Sequence, residues 1–345
     1  MRGLAGRSPY FFTRMAKTIG FTYDLRTDLE IKEGEPVDLN AEFDTPETVN
    51  FIKAAVEAIG YKLVSIGNIN NLLRMLPDLK TDIILNICEG FGSRNREAYV
   101  PILLEMLGIP YIGSDGLTMS IALDKIMTKK ILIAEGIPTP RYIGIYKLDY
   151  LINLDHMKFP MIVKLRSEGT SKGMTDKSVV YNKKELEKQS EYMIDSYKNS
   201  PLIIEELISG TEFTVPLIGN DPVEVLPSVQ VAIRDNVDLG DAIYTYEFVN
   251  LPGIQYLCPS KINKKLEDKL RTLALRTYKA VDCRDFGRVD FRVDKDNNPY
   301  VLEINPLPSL SDEDAFNLAP QAAGYDYNKA LKKIIDAGLK RYRLD

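Results

Sequence analysis

The stretch VDFRVDKDNNPYVLEIN, residues 289–305, is predicted to form two short alternating strands joined by a polar turn at residues 295–298. Centring the hairpin on that turn places Asp290 directly opposite Glu303, and Arg288 opposite Asn305. Like charges that face each other across a hairpin destabilise it. The alternation predicts one apolar face and one polar face, with Phe291, Val293, Leu302 and Ile304 on the first and Asp290, Arg292, Val301, Glu303 and Asn305 on the second.

Two interpretations of this pair of acids stay open at this point. A bound cation would relieve the repulsion, and two carboxylates with the amide of Asn305 are hard oxygen ligands that suit Mg²⁺. Mg²⁺ keeps its remaining coordination positions for water and phosphate oxygens. Alternatively, the hairpin has an ordinary solvated face on which Arg292 screens the two acids.

The bulk composition is typical of a soluble enzyme and predicts a cytoplasmic protein. The chain of 345 residues is long for one core and suggests two or three domains. A net charge of -5 and a pI near 5.3 argue against nucleic acid as a partner. No run approaches 18 uncharged apolar residues, so no membrane span is expected. The three cysteines lie far apart and the single histidine, His156, has no acid at triad spacing, so neither a zinc site nor histidine catalysis is indicated.

The N-terminal part of the chain alternates strands with helices, which predicts an open α/β domain over residues 15–118 preceded by an extension at residues 1–14. In the first helix, Thr45 is placed to cap and Pro46 to occupy the first position. A second helix is predicted to run without interruption through TMSIALDKIMTKKILIAEG to Gly136. Two prolines then break the chain, and a fresh αβ pattern begins a second domain.

Three groups of polar residues could bind a nucleotide. The loop SEGTSKGM, residues 167–174, can lay backbone N–H groups along phosphates, although such loops are more often plain turns. Lys164 ends an apolar strand and needs an anion, whereas Lys125 also fits a solvated helix lysine. Glu205 and Glu206 follow a buried strand, where they could border an adenine or form an exposed edge.

Taken in order, several motifs resemble the D-alanine:D-alanine ligase branch of the ATP-grasp enzymes over residues 18–335. They are LLEMLGIPYIGSDGLTMSIALDKIMTK, VKLRSEGTSKGM, IIEELISGTEFTV, QYLCPS, DFGRVDFRVD and LEINPLPSL. The resemblance implies a mixed α/β fold of three subdomains, in which ATP lies between a central unit, residues 119–200, and a C-terminal unit, residues 201–345. It also implies Mg²⁺ as cofactor, with two ions bound and Mn²⁺ as a substitute, small amino-acid or amine substrates, and a homodimer.

The resemblance further implies a role for each matching residue. The phosphates would contact Lys125 and Lys164 and lie under a loop that contains Glu168, Gly169, Thr170, Ser171 and Gly173. The adenine would be bordered by Glu205, Glu206 and Ile208, and the ribose by Glu212. The metal ligands would be Asp290, Glu303 and Asn305. A tetrahedral oxyanion would be stabilised by Arg288 and by a backbone N–H near Ser309.

The departures from the family pattern lie on the substrate side. The Glu-Val-Ser motif after the first strand is replaced by YDLRTDLEI, and the usual His-Gly segment by NICEGFGSRNREAYVP, which offers Glu89 as a substrate candidate. Val249 and Asn250 replace a Lys-Tyr pair. Asp314 stands where a serine of the family receives the carboxylate of the second amino acid. Either Asp314 meets an acceptor other than D-alanine, or the segment from Ser311 to Asp314 is a capping box.

Three functions are therefore compatible with the sequence. The most economical is an ATP- and Mg²⁺-dependent D-alanine:D-alanine ligase of cell-wall synthesis. The second is a ligase with the same acylphosphate mechanism and a different acceptor amine. The third is a nucleotide-binding regulatory protein without turnover, against which the presence of Arg288, Asp290, Glu303 and Asn305 argues.

Overall fold

The computed structural model describes residues 16–146, 154–197, 200–243, 245 and 254–345. In this part of the chain the strands form three sheets, of four, four and six strands. The predicted extension at residues 1–14 and the positions of Val249 and Asn250 lie outside the described residues. Within the described ranges, no helix is both long and apolar enough to cross a membrane.

The N-terminal sheet is parallel, with the strand order β2-β1-β3-β4, and helices cover both of its faces. Its strands are β1 (Thr18–Tyr23), β2 (Lys62–Gly67), β3 (Ile83–Ile87) and β4 (Tyr111–Ile112), and its helices are α1 (Pro46–Ala58), α2 (Ile69–Met75) and α3 (Tyr99–Leu107). All five residues of β3 are buried, as expected for an apolar central strand. The predicted cap of α1 is present, since Thr45 accepts the N–H of Thr48. The sequence pattern did not predict β2 and α2.

The predicted second helix is wrong in one respect, because the structure has two helices there, α4 (Gly116–Leu123) and α5 (Lys125–Ala134). Asp124 interrupts them with a ψ of 95°, and its side chain caps α5 by accepting the N–H groups of Ile126 and Met127. The guanidinium of Arg166 binds the same carboxylate at 2.7 and 2.8 Å. Arg166 thus stabilises the non-helical conformation of Asp124, and α5 begins at Lys125.

The central sheet is antiparallel, with the order β5-β8-β6-β7. It consists of β5 (Tyr142–Ile145), β6 (Met161–Leu165), β7 (Val179–Val180) and β8 (Leu202–Glu206), and α6 (Lys183–Ser196) packs on it. The proposed domain boundary between residues 200 and 201 separates β8 from its sheet partners. By sheet membership alone, the central unit would extend to Glu206.

The C-terminal sheet has the order β12-β11-β9-β13-β14, with β10 beside β9. Its strands are β9 (Thr211–Ile218), β10 (Glu224–Val225), β11 (Val229–Ile233), β12 (Ile254–Leu257), β13 (Phe286–Val293) and β14 (Pro299–Asn305). Helix α7 (Lys264–Ala280) packs on one face, and α8 (Ala315–Ala322) follows β14.

Strands β13 and β14 form the predicted hairpin, with Asp290 opposite Glu303 and Arg288 opposite Asn305. A bulge beyond Asp290 shifts the register, so that Phe291 faces Val301 and not Leu302. The faces predicted for Val301 and Leu302 are therefore wrong. Val301 is fully buried in the core of the sheet, and Leu302 lines the cleft beside Glu303.

The last helix, α9 (Tyr327–Arg341), returns to the N-terminal sheet and packs with α1 on the same face. Gly338 allows this close approach, because a Cβ atom at that position would lie 2.6 Å from Ile112. The guanidinium of Arg341 donates to the carbonyls of Tyr111 and Gly113 and binds Asp285 at 2.7 Å. The two ends of the described chain thus share one hydrophobic core.

Candidate active site

A cleft of about 820 Å³ opens between the central and C-terminal sheets and is closed on one side by the N-terminal domain. Every predicted site residue lines this cleft except Gly173, whose N–H donates to Asp38. A cavity of about 930 Å³ on the outer side of α7 gathers none of the predicted residues, and its walls supply no acid pair or glycine loop. The chemistry therefore belongs to the cleft between the sheets.

The facing acids of the hairpin lie at the floor of this cleft. Asp290 accepts two bonds at 3.0 Å from the guanidinium of Arg288, one at 2.8 Å from the amide of Asn305, and one from the hydroxyl of Thr214. Glu303 lies 3.6 Å from the ammonium of Lys125. The two carboxylates thus face the cleft with oxygen atoms of the kind that Mg²⁺ binds.

The alternative interpretation, in which Arg292 screens the two acids, is not what the structure shows. Arg292 is 3% exposed and binds Glu212 at 3.0 Å. Its other N–H groups donate to the backbone carbonyls of Gly210, Gly240 and Ala242. Arg292 therefore fixes Glu212 and the neighbouring loop, and the charge beside Asp290 comes from Arg288.

The two predicted phosphate lysines project into the cleft from different elements. Lys125 is almost buried and donates to the carbonyl of Glu168, so it is not the solvated helix lysine of the alternative interpretation. Lys164 binds Glu205 at 2.9 Å. Glu205 is 1% exposed and also binds Lys129 at 3.0 Å. Burial would raise the pKa of Glu205, but the two lysines outweigh it and lower the pKa to about 2.

The loop between β6 and β7 has the backbone of an anion site. Thr170 and Ser171 have φ angles of 46° and 53°, in the left-handed region that ordinary side chains rarely adopt. Such turns point successive N–H groups to one side. Carboxylates of the N-terminal domain bind the N–H groups on either side of this turn, since Glu42 accepts the N–H of Gly169 at 2.5 Å and Asp38 that of Gly173 at 2.7 Å.

Glu42 belongs to a buried ionic cluster that joins the N-terminal domain to the loop. It binds Arg96 at 2.5 Å and Lys172 at 2.6 Å. Burial would raise its pKa, but these two cations lower the pKa to about 2. Burial raises the pKa of Glu97 to about 7, and burial with the nearby Glu97 raises that of Glu89. Carboxylate oxygens of Glu42, Glu89 and Glu97 lie within 4.8 Å of one another, and Arg96 and Lys172 pair with Glu42.

Of the residues predicted to border the adenine, Glu206 and Ile208 line the cleft at the end of β8, and Glu205 beside them is paired with Lys129 and Lys164. Glu212, predicted for the ribose, lines the cleft at the start of β9. The carboxylate of Glu206 accepts the N–H of Lys158 at 2.8 Å, which fixes the connection before β6. The side chain of Leu302, turned into the cleft by the bulge, adds an apolar surface to the same cavity.

At the other end of the cleft, Arg288 binds Asp314 at 3.3 Å in addition to Asp290. Asp314 is the N-cap of α8 and accepts the N–H of Ala315 at 2.6 Å. The capping interpretation is thus correct in part, but the cap is Asp314 and not Ser311. Ser309 lines the cleft and its hydroxyl accepts the N–H of Ser311 at 3.2 Å.

Known proteins match this chain over most of its length. A family model described as the D-ala D-ala ligase C-terminus matches residues 131–336, which include the central and C-terminal sheets. A D-alanine--D-alanine ligase of Carboxydothermus hydrogenoformans is 35% identical over 291 residues, which cover 81% of this chain and 89% of that protein. The chain belongs to the D-alanine:D-alanine ligase family.

Two further proteins are similar to this chain. An uncharacterized protein of Sinorhizobium fredii, y4sG, is 34% identical over 282 residues, which cover 80% of this chain and 81% of that protein. The crystal structure of a D-alanine--D-alanine ligase from Bacillus anthracis complexed with ATP superposes with a TM-score of 0.70 at 27% identity, covering 95% and 98% of the two chains. The predicted family, the ATP-grasp fold and the class of ATP-dependent ligases that form C–N bonds are confirmed.

The sequence pattern did not reveal several charged residues in or beside the cleft. Glu42 lies three residues before the cap of α1, in the segment EFDTPE, and not directly after β1, where the family pattern has its acid. Lys172 lies within the glycine loop, where the glycines and the hydroxyl side chains gave the signal for phosphate binding. Arg96 and Lys129 gave no signal, since charged residues of helices are usually solvated.

Proposed function

We propose that the protein is an ATP- and Mg²⁺-dependent ligase that joins a carboxylate to an amine through an acylphosphate. The observation that supports this most directly is the convergence of Asp290, Glu303, Lys125, Lys164 and the glycine loop on one cleft beside Arg288. D-alanine is the first donor to test, because the named relatives are D-alanine--D-alanine ligases. By the same likeness we propose a cytoplasmic homodimer.

The residues of the cleft would divide the first step between them. Lys125, Lys164 and the N–H groups of the loop at residues 169–173 would hold the phosphates of ATP. An oxygen of the donor carboxylate attacks the γ-phosphorus, the bond from that phosphorus to the β,γ-bridging oxygen breaks, and ADP leaves. Asp38 and Glu42 bind N–H groups of the same loop, so their carboxylates would have to shift when the triphosphate binds.

Asp290, Glu303 and Asn305 would hold Mg²⁺, which would neutralise phosphate charge during this step. The donor set fits this ion, because two carboxylates face each other across β13 and β14 and the amide of Asn305 adjoins Asp290. Thr214 and Arg288 hold the Asp290 carboxylate from its other sides.

In the second step, the nitrogen of the acceptor amine attacks the acyl carbon. The carbon–oxygen bond to phosphate then breaks, inorganic phosphate leaves and the nitrogen loses a proton, which yields an amide. Arg288, which lines the cleft beside Asp290, would stabilise the tetrahedral oxyanion together with a backbone N–H near Ser309.

The test is formation of hydroxamate and ADP from ATP, Mg²⁺ and hydroxylamine with a panel of D- and L-amino acids and other carboxylates. Hydroxylamine traps an acylphosphate without needing the natural acceptor. We expect at least one carboxylate to react, with kcat falling on the order of 10²–10³-fold in Arg288→Ala. Asp290→Asn should also weaken binding of Mn²⁺, measured by electron paramagnetic resonance. Nucleotide binding without hydroxamate from any carboxylate would favour the regulatory protein.

A further inference from the structure

The acceptor end of the cleft contains a ready-made receptor for a carboxylate. Its two components are the guanidinium of Arg288 and the first N–H groups of α8, whose N-terminus faces the cleft at Asp314 and Ala315. An α-amino acid that offers its amine to the acyl carbon has only one carbon between that nitrogen and its own carboxylate. Its carboxylate would therefore need partners beside Arg288, where this receptor lies.

In this protein, the receptor is occupied by a side chain of the protein itself. One oxygen of Asp314 lies 3.3 Å from Arg288, and the other accepts the N–H of Ala315 at 2.6 Å. The Asp314 side chain is 19% exposed and reaches the cleft. The contacts that an acceptor carboxylate would make are thus already made internally.

A second cation, Arg26, also lines the cleft, but its Nε–H donates to the carbonyl of Phe43 and its charge lies beside Asp44. Among the described residues that line this end of the cleft, Glu313 adds another negative charge, and Arg288 is the cation that contacts Asp314. A carboxylate brought to this place would meet the anion of Asp314, which already pairs with Arg288.

We propose that Asp314 is a specificity-determining residue that selects an acceptor amine without a carboxylate on its α-carbon. Such an acceptor is a neutral or cationic amine, for example an amino-acid amide or an alkylamine. This inference rests on the proposed ligase function and specifies the acceptor of the same site.

The helix cap alone does not account for Asp314. Serine caps helices about as well as aspartate and would carry no charge. The variant Asp314→Ser therefore keeps the cap of α8 and removes only the anion beside Arg288, so it separates the two roles. Asp312→Asn is the matched control, because Asp312 lies two positions earlier in the same acidic run, is exposed and does not line the cleft.

The experiment compares two acceptors that differ only in the carboxylate, D-alanine and D-alaninamide. The donor is the carboxylate that gives most hydroxamate, and products are quantified by mass spectrometry together with ADP release. In the wild type we expect kcat/KM to be at least about tenfold higher for D-alaninamide. Asp314→Ser should reduce that ratio at least about tenfold by raising kcat/KM for D-alanine, whereas Asp312→Asn should leave it unchanged.

The three outcomes are distinct. The expected change of ratio in Asp314→Ser alone supports the proposal. Equal use of both acceptors by the wild type, or the same ratio in Asp314→Ser as in the wild type, overturns it while hydroxamate formation leaves the ligase function standing. Absence of hydroxamate with every carboxylate refutes the ligase function, and the acceptor inference with it.

Discussion

Replacing Glu205 by glutamine removes the shared anion of a buried charge triad. Glu205 lies between Lys129 and Lys164, at 3.0 and 2.9 Å. Lys129 is fully buried, its ammonium also donates to the hydroxyl of Thr139 at 2.8 Å, and among the described residues Glu205 is the one acid paired with it. Lys164 is 12% exposed and can turn toward the cleft. Most of the lost stability should therefore come from the unpaired ammonium of Lys129.

Two independent arguments give the size of the effect. Removing one partner of a buried ion pair costs about 3–5 kcal/mol, because the remaining charge is left without compensation. The pKa of Glu205 falls from its ordinary 4.5 to about 2 on folding, which corresponds to about 3 kcal/mol. This stabilisation is complete above the ordinary pKa and is lost as the pH falls through the folded value. We expect Glu205→Gln to lose about 3 kcal/mol at neutral pH.

Urea unfolding followed by circular dichroism measures this loss, provided that the m-values of variant and wild type agree. The control is Glu206→Gln, since the neighbouring acid accepts one backbone N–H and belongs to no ion pair within the described residues. Adding Lys129→Met to Glu205→Gln should restore part of the stability, because it removes the unpaired charge. A loss below about 1 kcal/mol in Glu205→Gln would refute the argument from buried charge.

Two further predictions concern the loop and the N-terminal acids. Gly173 has a φ of 76°, and a Cβ there would lie 3.1–3.2 Å from Met193, Leu165 and Tyr197, whereas Gly136 has a φ of 62° and open space. Both substitutions to alanine share the backbone strain, so Gly173→Ala should cost about 1–3 kcal/mol more in urea unfolding, and equal costs would contradict the packing argument. Burial, with a contribution from the nearby Asp24, raises the pKa of Asp44 from 3.8 to about 7. An acid whose pKa rises on folding lowers the free energy of unfolding as the pH increases between the unfolded and the folded pKa. Between pH 3.8 and about 7, the free energy of unfolding should therefore fall less with pH in Asp44→Asn than in the wild type. Parallel plots of that free energy against pH for the two proteins would contradict this prediction.

The hairpin at residues 289–305 was predictable because a polar turn and a period of two fix which residues face each other. The pairs Asp290–Glu303 and Arg288–Asn305 followed from that rule. The bulge did not, since an extra residue in one strand depends on packing against β9 and the core, which a local pattern does not contain. Its effect is confined to the residues beyond Asp290, so the acid pair kept its predicted register.

Contacts between distant segments explain the other differences. The break at Asp124 lies in a sequence that favours helix on both sides, and it is held by Arg166, 42 positions later. Glu42 reaches Gly169 across 127 positions, so neither residue reveals the other in the sequence. A motif search finds residues that bind a common ligand, but it does not find those that bind each other. The ionic cluster around Glu42 is of the second kind.

The return of α9 to the N-terminal sheet has a consequence for biosynthesis. Strands β1–β4 leave the ribosome well before α9, and the face that α9 covers stays open until residues 327–341 have been made. Domains usually fold in order from the N-terminus during synthesis, but here the domain of β1–β4 must wait for a helix made after the other two sheets. A stalled chain without that helix would expose Ile112 and its apolar neighbours, and chaperones or proteases could recognise it as unfinished.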